Sequence, residues 1–371
     1  MRLLIASSST GGHIYPALAI AEEVKRREPD AELLFVTASW EIGRDIVRSS
    51  GHRQVFLDVS GFDRRNPFNN IKALRDFVRA SREARALLQD FEPDVVLGTG
   101  GHIAGPVIRE AKRAGIRAMI QEQNVIPGMA NRLAERYADK VFVGFSETAG
   151  NFKNQGKVIV SGNPVRAAFA EAAAAREETR SKYGVAEGAF CVLFFGGSQG
   201  AAAINEMAKY TVGKLSGGSG EETGAAYHFI VITGRENEQK GQFSRLLEEA
   251  GNTLLVMEYS DAIWELYAAA DVIISRAGAL TVSEIGQSGR ASILIPSPNV
   301  TNNHQYYNAK ILADAGAAIL MEEEKINSEK LAAEIERLAS DPDKVLKMGS
   351  AALGSARPDA AKVIVDEILG K

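Results

Sequence analysis

Short apolar runs rich in Val, Ile and Leu alternate with amphipathic stretches along almost the whole chain. They are RLLIAS, ELLFVTA, DVVLGTG, AMIQEQN, KVFVGF and KVIVSG in the first half, then FCVLFFGGS, HFIVITG, TLLVMEY, DVIISRAG and SILIPS. A strand that is apolar at successive positions has no face to give to water, so helices must cover both sides of its sheet. This β-then-α alternation predicts an α/β fold with parallel sheets. About eleven strands exceed one ordinary open sheet, which predicts two doubly wound, Rossmann-like domains. One unit even recurs: RLLIASSSTGGHIYPALAIAEEV and CVLFFGGSQGAAAINEMA both read strand, Gly/Ser loop, helix.

Length agrees, since 371 residues exceed the usual single domain. We expect one domain over residues 1–163 and a second over 164–349, divided near SGNPVRAAF, where the Ala-rich helix EAAAAREETRSKYG begins. A last helix, about 350–371, is expected to pack back on the first domain. LSGGSGEETG, Leu215 to Gly224, reads as a surface loop. A net charge of −4 supplies no global field to hold nucleic acid, so an anionic partner must meet a local patch. The single cysteine, Cys191, excludes an internal disulfide framework and reads as a small buried hydrophobe. The apolar run at the amino terminus is too short for a signal peptide, and no run of about 18 apolar residues occurs. The expectation is a soluble or peripheral protein working in the cytosol.

Four strand-to-helix turns are built from small residues: Ser7 to Gly12, Gly98 to Gly101, Gly196 to Gly200, and Ser275 to Ala279. Such turns let phosphate approach backbone N–H groups at a helix start, and their place at the carboxyl ends of strands predicts a ligand cleft between two domains. None is a Walker A sequence, and the dinucleotide fingerprint is not met. GGSQG satisfies G-x-S-x-G, so a hydrolase using Ser198, Asp271 and His304 is an alternative. No Asp-x-Asp pair suggests a metal: Asp341-Pro342-Asp343 reads as a helix cap, and no cofactor is expected. On a helix starting near Ala279, the N–H groups of Leu280 and Thr281 face a phosphate, and Glu284 one turn on reaches an adjoining ribose. The alternative for Glu284 is a solvated carboxylate favoured by the helix dipole.

In order and separation, STGGHIYPALA, GTGGHIAGP, QEQNVIPG, SGNPVR, GGSQGA, SRAGALTVSEI and NNHQYYNA resemble the MurG family of bacterial cell-wall enzymes. That resemblance implies a two-Rossmann (GT-B) glycosyltransferase that moves N-acetylglucosamine from UDP-GlcNAc to undecaprenyl-pyrophosphoryl-MurNAc-pentapeptide, lipid I, with inversion and without a metal. It assigns the donor to Ser198, Gln199, Ala279, Leu280, Thr281 and Glu284. Arg166 would lie near the diphosphate, Asn124, His304 and Gln305 near the sugar, and Ser260 near the uracil. Thr10, Gly11 and Gly12 also belong to the donor set. Acceptor recognition falls to Gly12, Gly100, Gly101 and His102, with His13 as general base or pyrophosphate ligand and Glu122 as the alternative base. Ser9, Gln121 and His102-Ile103-Ala104 depart from the family pattern, all on the acceptor side. A related GT-B transferase, a UDP-GlcNAc epimerase and a non-catalytic sugar-nucleotide module are the competing readings.

A polyprenyl acceptor implies contact with the anionic inner-membrane surface. From Arg64 to Arg85 there are seven basic and two acidic residues, in a chain of net −4. Phe68, Ile71, Leu74 and Val78 recur at helical spacing among them, beside Arg75 and Arg79. This reads either as a basic amphipathic helix lying on lipid at the cytoplasmic face, or as a core-packing helix with a solvated basic side.

Overall fold

The structure is a computed structural model that describes residues 1–8, 10–39, 41–60, 70–197, 199–216, 226–234, 241 and 243–371. Ser9, Arg64, Arg65, Phe68 and Ser198 lie outside the described residues. The chain divides into two compact units, Met1–Arg166 with Arg357–Lys371, and Ala167–Ala356.

The first unit holds strands β1 (Arg2–Ser7), β2 (Glu32–Thr37), β3 (Arg53–Phe56), β4 (Val95–Gly100), β5 (Arg117–Glu122), β6 (Lys140–Val143) and β7 (Val158–Val160). Its helices are α1 (Gly11–Arg27), α2 (Glu41–Ser49), α3 (Asn70–Phe91), α4 (Ala104–Arg113) and α5 (Met129–Ala134). The sheet is parallel, ordered β3-β2-β1-β4-β5-β6-β7. Side chains alternate faces along a strand, and β1 shows the result. Leu4 and Ala6 join the cluster containing Ala80, Val107 and Ile108 of α3 and α4, while Leu3 and Ile5 join the one containing Ile14 and Val24 of α1. That is why Leu3 to Ala6 form an unbroken apolar run.

The second unit begins with α6 (Ala168–Ala174) and α7 (Arg176–Lys182); the expected Ala-rich helix breaks in two at Ala175. There follow β8 (Phe190–Phe195), α8 (Ala202–Ser216), β9 (Tyr227–Ile232), α9 (Ser244–Ala250), β10 (Leu254–Met257), α10 (Ile263–Ala269), β11 (Val272–Ser275) and α11 (Ala279–Ser288). The unit ends with β12 (Ala291–Leu294), α12 (His304–Asp314), β13 (Ala318–Leu320), α13 (Ser328–Ala339) and α14 (Pro342–Ser355). Its sheet, β10-β9-β8-β11-β12-β13, repeats the order of the first. Leu215 and Ser216, expected in a surface loop, close α8 instead; residues 217–225 lie outside the described residues. Asp341 caps α14 through its side chain, which accepts from Lys344 N at 3.0 Å.

After Arg357 the chain returns to the first unit as α15 (Ala360–Leu369). Ile364, Val365 and Ile368 enter the cluster containing Leu3 and Ile5. Each such burial stabilises by about 1.5–3 kcal/mol. Arg27 fixes the helix further through Asp366 at 2.6 Å, and Arg117 through the carbonyl of Glu367 at 2.6 Å. The division falls after Arg166 rather than 163, and α14 is not split at 349: a Cβ on Gly349 would stand 2.6 Å from the Gly289 carbonyl, a closeness only glycine permits. Among the described residues there are thirteen strands rather than eleven. The two additions, β3 and β13, are short edge strands.

In each unit the strand order reverses beside the first strand, between β1 and β4 and between β8 and β11. Ligands of doubly wound sheets bind beyond the carboxyl ends of strands at such points. The four small-residue turns leave these four strands.

Candidate active site

In the first unit, α1 starts without a side-chain cap and without an acidic residue in its first turn. The N–H groups of its first turn, Gly11 and Gly12 among them, therefore have no partner from the cap, which favours an anion there. Thr10, Gly12 and His102 are exposed. The loop after β4 lies directly against the loop after β1: Ser8 N donates to the Gly100 carbonyl at 3.2 Å. Gly100 and Gly101 adopt φ of 112° and 79°, and a Cβ on Gly101 would fall 2.1 Å from that of Ser8. A Cβ on Gly100 would stand 3.0 Å from the His13 ring, so both glycines are required by geometry. His13 has Thr10 Oγ1 3.5 Å from its Nδ1, and its carbonyl accepts from Thr99 Oγ1 at 2.9 Å. Burial, reinforced by the nearby His102, lowers its pKa to about 4, which keeps the imidazole neutral at pH 7.

Glu122, proposed from sequence as an alternative base, is 2% exposed, and its carboxylate is saturated with hydrogen bonds. Oε1 accepts from Asn124 N at 2.9 Å and Asn124 Nδ2 at 3.2 Å; Oε2 accepts from Gly128 N at 3.0 Å and Asn131 Nδ2 at 2.9 Å. Such a carboxylate positions the loop from Asn124 to Gly128 and has little capacity left for a substrate proton. Around it lies an amide network that sequence reading missed. Gln121 Nε2 donates to Asn163 Oδ1 at 3.0 Å, Asn163 Nδ2 to the Gln123 carbonyl at 3.0 Å, and Gln123 Nε2 to the Thr99 carbonyl at 2.7 Å. Its signal was present in Gln121 and Gln123, which flank Glu122 where the apolar run Ala118-Met119-Ile120 ends. Arg166 lies over the Tyr15 ring at 4.6 Å and near Glu22, whose pKa burial raises against the arginine's pull.

In the second unit, α11 starts at Gly278 with extended dihedrals, no side-chain cap and no acidic residue in its first turn, where Ala279, Leu280 and Thr281 stand. Glu284 lies a turn further on and is 8% exposed, which removes the reading of a solvated helix-start carboxylate. Gln305 in the first turn of α12 uses its Oε1 to accept from Ser297 N at 2.9 Å, leaving its amide N–H groups as donors. Asn302 and Asn303, both at positive φ (57° and 51°), turn the chain into α12, and His304 Nδ1 meets the Thr301 carbonyl at 2.8 Å. Arg276, not picked out from sequence, ties this edge together: it donates to the Ile295 carbonyl at 3.1 Å and pairs with Glu323. Gln199 sits in the turn beside Gly197 and Gly200, at φ 100° and 82°. Ser260 Oγ accepts from Ala262 N at 3.2 Å.

The hydrolase alternative fails on topology. Asp271 precedes β11 at the amino edge of the sheet, bound to Arg176, Arg180 and Cys191 N, while His304 follows β12 beyond the carboxyl edge. Cys191 is fully buried, and burial raises its thiol to about 12. Among the described residues no group of three or more His, Cys, Asp or Glu side chains is placed to hold a metal, and no helix is long and apolar enough to cross a membrane.

On α3, Ala73, Ala80, Ala84 and Leu88 face the core. Ile71, Leu74 and Val78 are 59%, 58% and 43% exposed, among exposed Lys72, Arg75 and Arg79. They therefore do not pack the core, and the helix carries a second, outward apolar stripe.

Residues 3–143 match the N-terminal domain of glycosyltransferase family 28, and residues 191–364 match its C-terminal domain. The UDP-N-acetylglucosamine--N-acetylmuramyl-(pentapeptide) pyrophosphoryl-undecaprenol N-acetylglucosamine transferase of Caldanaerobacter subterraneus subsp. tengcongensis is 38% identical over 97% of each chain. The protein of the same name from Alkaliphilus metalliredigens is 34% identical over 100% of this chain and 99% of its own. Among solved structures, MurG of Acinetobacter baumannii superposes with a TM-score of 0.76 at 26% identity, covering 100% and 99% of the two chains. The UDP-GlcNAc 2-epimerase of Neisseria meningitidis, solved with UDP-GlcNAc, shares the fold at a TM-score of 0.69 and 14% identity, covering all of both chains. Together with the uncapped helix starts, the neutral His13 and the buried Glu284, these likenesses identify the chain as a member of glycosyltransferase family 28 and, within it, of the MurG N-acetylglucosamine transferases.

Proposed function

We propose that this protein transfers N-acetylglucosamine from UDP-GlcNAc to the C4 hydroxyl of undecaprenyl-pyrophosphoryl-MurNAc-pentapeptide, with inversion at the anomeric carbon. The observation that carries the chemistry is His13, neutral at the open start of α1 and in contact range of Gly100. With Nδ1–H turned toward Thr10, Nε2 keeps its lone pair for the acceptor proton. The acceptor oxygen bonds to the anomeric carbon, the bond from that carbon to the β-phosphate oxygen breaks, UDP leaves with the electron pair, and the proton passes to His13. Open N–H groups at the start of α11 would stabilise the departing diphosphate as an oxyanion hole does. Glu284 would accept from the ribose hydroxyls, and Gln305 and Asn124 would address the sugar. Gly12, Gly100, Gly101 and His102 would hold the lipid pyrophosphate. The decisive measurement is an incubation with labelled UDP-GlcNAc and lipid I. The expected products are a disaccharide lipid and UDP. Formation of a 2-epimeric UDP-sugar without acceptor would replace this reading with the epimerase one.

The outward stripe on α3 supports docking on an anionic bilayer surface as a peripheral protein of the cytoplasmic face. Phe68, grouped with these residues in the sequence, lies outside the described residues. Lys72, Arg75 and Arg79 each contribute about 1 kcal/mol near anionic lipid, and the aliphatic side chains add their buried area. Replacing Ile71, Leu74 and Val78 together by serine is expected to weaken co-sedimentation with phosphatidylglycerol vesicles by about 10²-fold, equivalent to roughly 3 kcal/mol, with the melting temperature nearly unchanged. Equal vesicle binding by the triple variant would dismiss this surface.

A further inference from the structure

Val95 and Leu97 of β4 give their side chains to the cluster that contains Ile14 and Val24 of α1. Side chains alternate along a strand, so Thr99, two positions on, takes the same face and puts a hydroxyl where another aliphatic group would fit. The register between β1 and β4 also skips it: Ala6 pairs with Gly98 and Ser7 with Gly100, which makes Thr99 the extra residue of a bulge. Thr99 is fully buried, and a buried hydroxyl needs a partner. It donates to the His13 carbonyl at 2.9 Å.

The Thr99 carbonyl is held from the other side. It accepts from Gln123 Nε2 at 2.7 Å, the Gln123 carbonyl accepts from Asn163 Nδ2 at 3.0 Å, and Asn163 Oδ1 accepts from Gln121 Nε2 at 3.0 Å. All three amide side chains are buried, and Gly144 makes room for them, since a Cβ there would collide with the Asn163 amide. The amide network therefore ends, through Thr99, on the backbone of His13.

The start of α1 depends on such a tie. Thr10 gives it no side-chain cap, and Pro16 inside the helix has no N–H to offer the Gly12 carbonyl four residues back. The first turn, which carries His13, is thus held by fewer helical bonds than an ordinary one, and the contact from β4 supplies what the helix lacks.

We propose that Thr99 is a positioning residue for sugar transfer: anchored by the amide network through its carbonyl, it fixes through its hydroxyl the backbone of His13 and hence the aim of the imidazole at the acceptor hydroxyl. This rests on the reading of His13 as general base. Gln123 directly follows Glu122, which orders the loop carrying Asn124, so one network sets both the base and that loop.

Thr99→Val keeps the side chain's shape and removes the hydroxyl. It is expected to lower kcat about tenfold while KM for UDP-GlcNAc stays within about twofold, because a misaimed base slows only the step in which the proton moves. Thr99→Ser, which keeps the donor, is expected to restore kcat to within about twofold of the native value. Gln123→Met, which releases the Thr99 carbonyl and leaves the hydroxyl, is expected to lower kcat severalfold and gives a second handle should the valine variant fold poorly. The discriminating measurement is a double-mutant cycle on the full-length protein. If Thr99 acts through His13, neither Thr99→Val nor Gln123→Met should reduce the residual turnover of His13→Ala any further. Unchanged kcat in both single variants, an equal loss in Thr99→Ser and Thr99→Val, or the same loss repeated in the His13→Ala background would overturn the inference. A failure of the underlying reading looks different, since His13→Ala would then turn over normally.

Discussion

Replacing His13 by alanine is expected to lower kcat by about 10²–10⁴ while leaving affinity for UDP-GlcNAc within about twofold, because general-base catalysis contributes on that scale and acts only when the acceptor proton moves. Burial and His102 set its titration near 4 rather than 6.5. Protonated imidazole cannot accept a proton, so kcat/KM should fall as pH drops through that region, and stay level from pH 7 down past the ordinary histidine range. The alanine variant should lack that limb. Glu122→Gln provides the contrast. Its four donors, two from backbone and two from amide side chains, position the loop that carries Asn124. A glutamine accepts at one atom only, so this variant should lose activity through a displaced loop and retain the shape of the acid limb. If instead Glu122→Gln abolished the limb and His13→Ala preserved it, the base would be the carboxylate.

The architecture was legible because a strand buried on both faces must be apolar at successive positions, as Leu3 to Ala6 of β1, Val95 to Leu97 of β4, all of β8 and Val272 to Ile274 of β11 are. The edge strands escaped for the opposite reason. β3, Arg53–Phe56, is partly solvated at each end, and β13 has three residues, so neither is forced into a hydrophobic run. In the candidate site, backbone features were readable and side-chain occupancy was not. Gly100 and Gly101 announced a close approach that their positive φ and the nearby Ser8 and His13 explain. Glu122 looked like a base because a carboxylate's type is written in the sequence, whereas its four hydrogen-bond donors come from residues up to nine positions away. The outward face of α3 was also undecidable from periodicity. Ala73, Ala80, Ala84 and Leu88 make one apolar stripe and Ile71, Leu74 and Val78 another, and only packing tells which one the core takes.

Glu284→Ala is expected to weaken UDP binding by about 10²–10⁴-fold, since a hydrogen bond to an ionised group is worth about 1.5–3 kcal/mol and a ribose offers two hydroxyls to one carboxylate. Burial of the carboxylate supports this magnitude. An 8%-exposed carboxylate in the second turn of α11 is largely withdrawn from water, so hydrogen bonds to it compete with little solvent. The loss should appear in KM for UDP-GlcNAc and in calorimetric affinity for UDP far more than in kcat, because the ribose lies away from the bonds that change. A purely structural Glu284 would produce an affinity loss too, and the ligand distinguishes the two. In the native protein, 2′-deoxy-UDP should bind more weakly than UDP by the value of one charge-assisted hydrogen bond, about tenfold or more. In Glu284→Ala the two nucleotides should bind alike, because the group that told them apart is gone. An undiminished preference for UDP in that variant would mean that α11 presents its carboxylate to something other than the pentose.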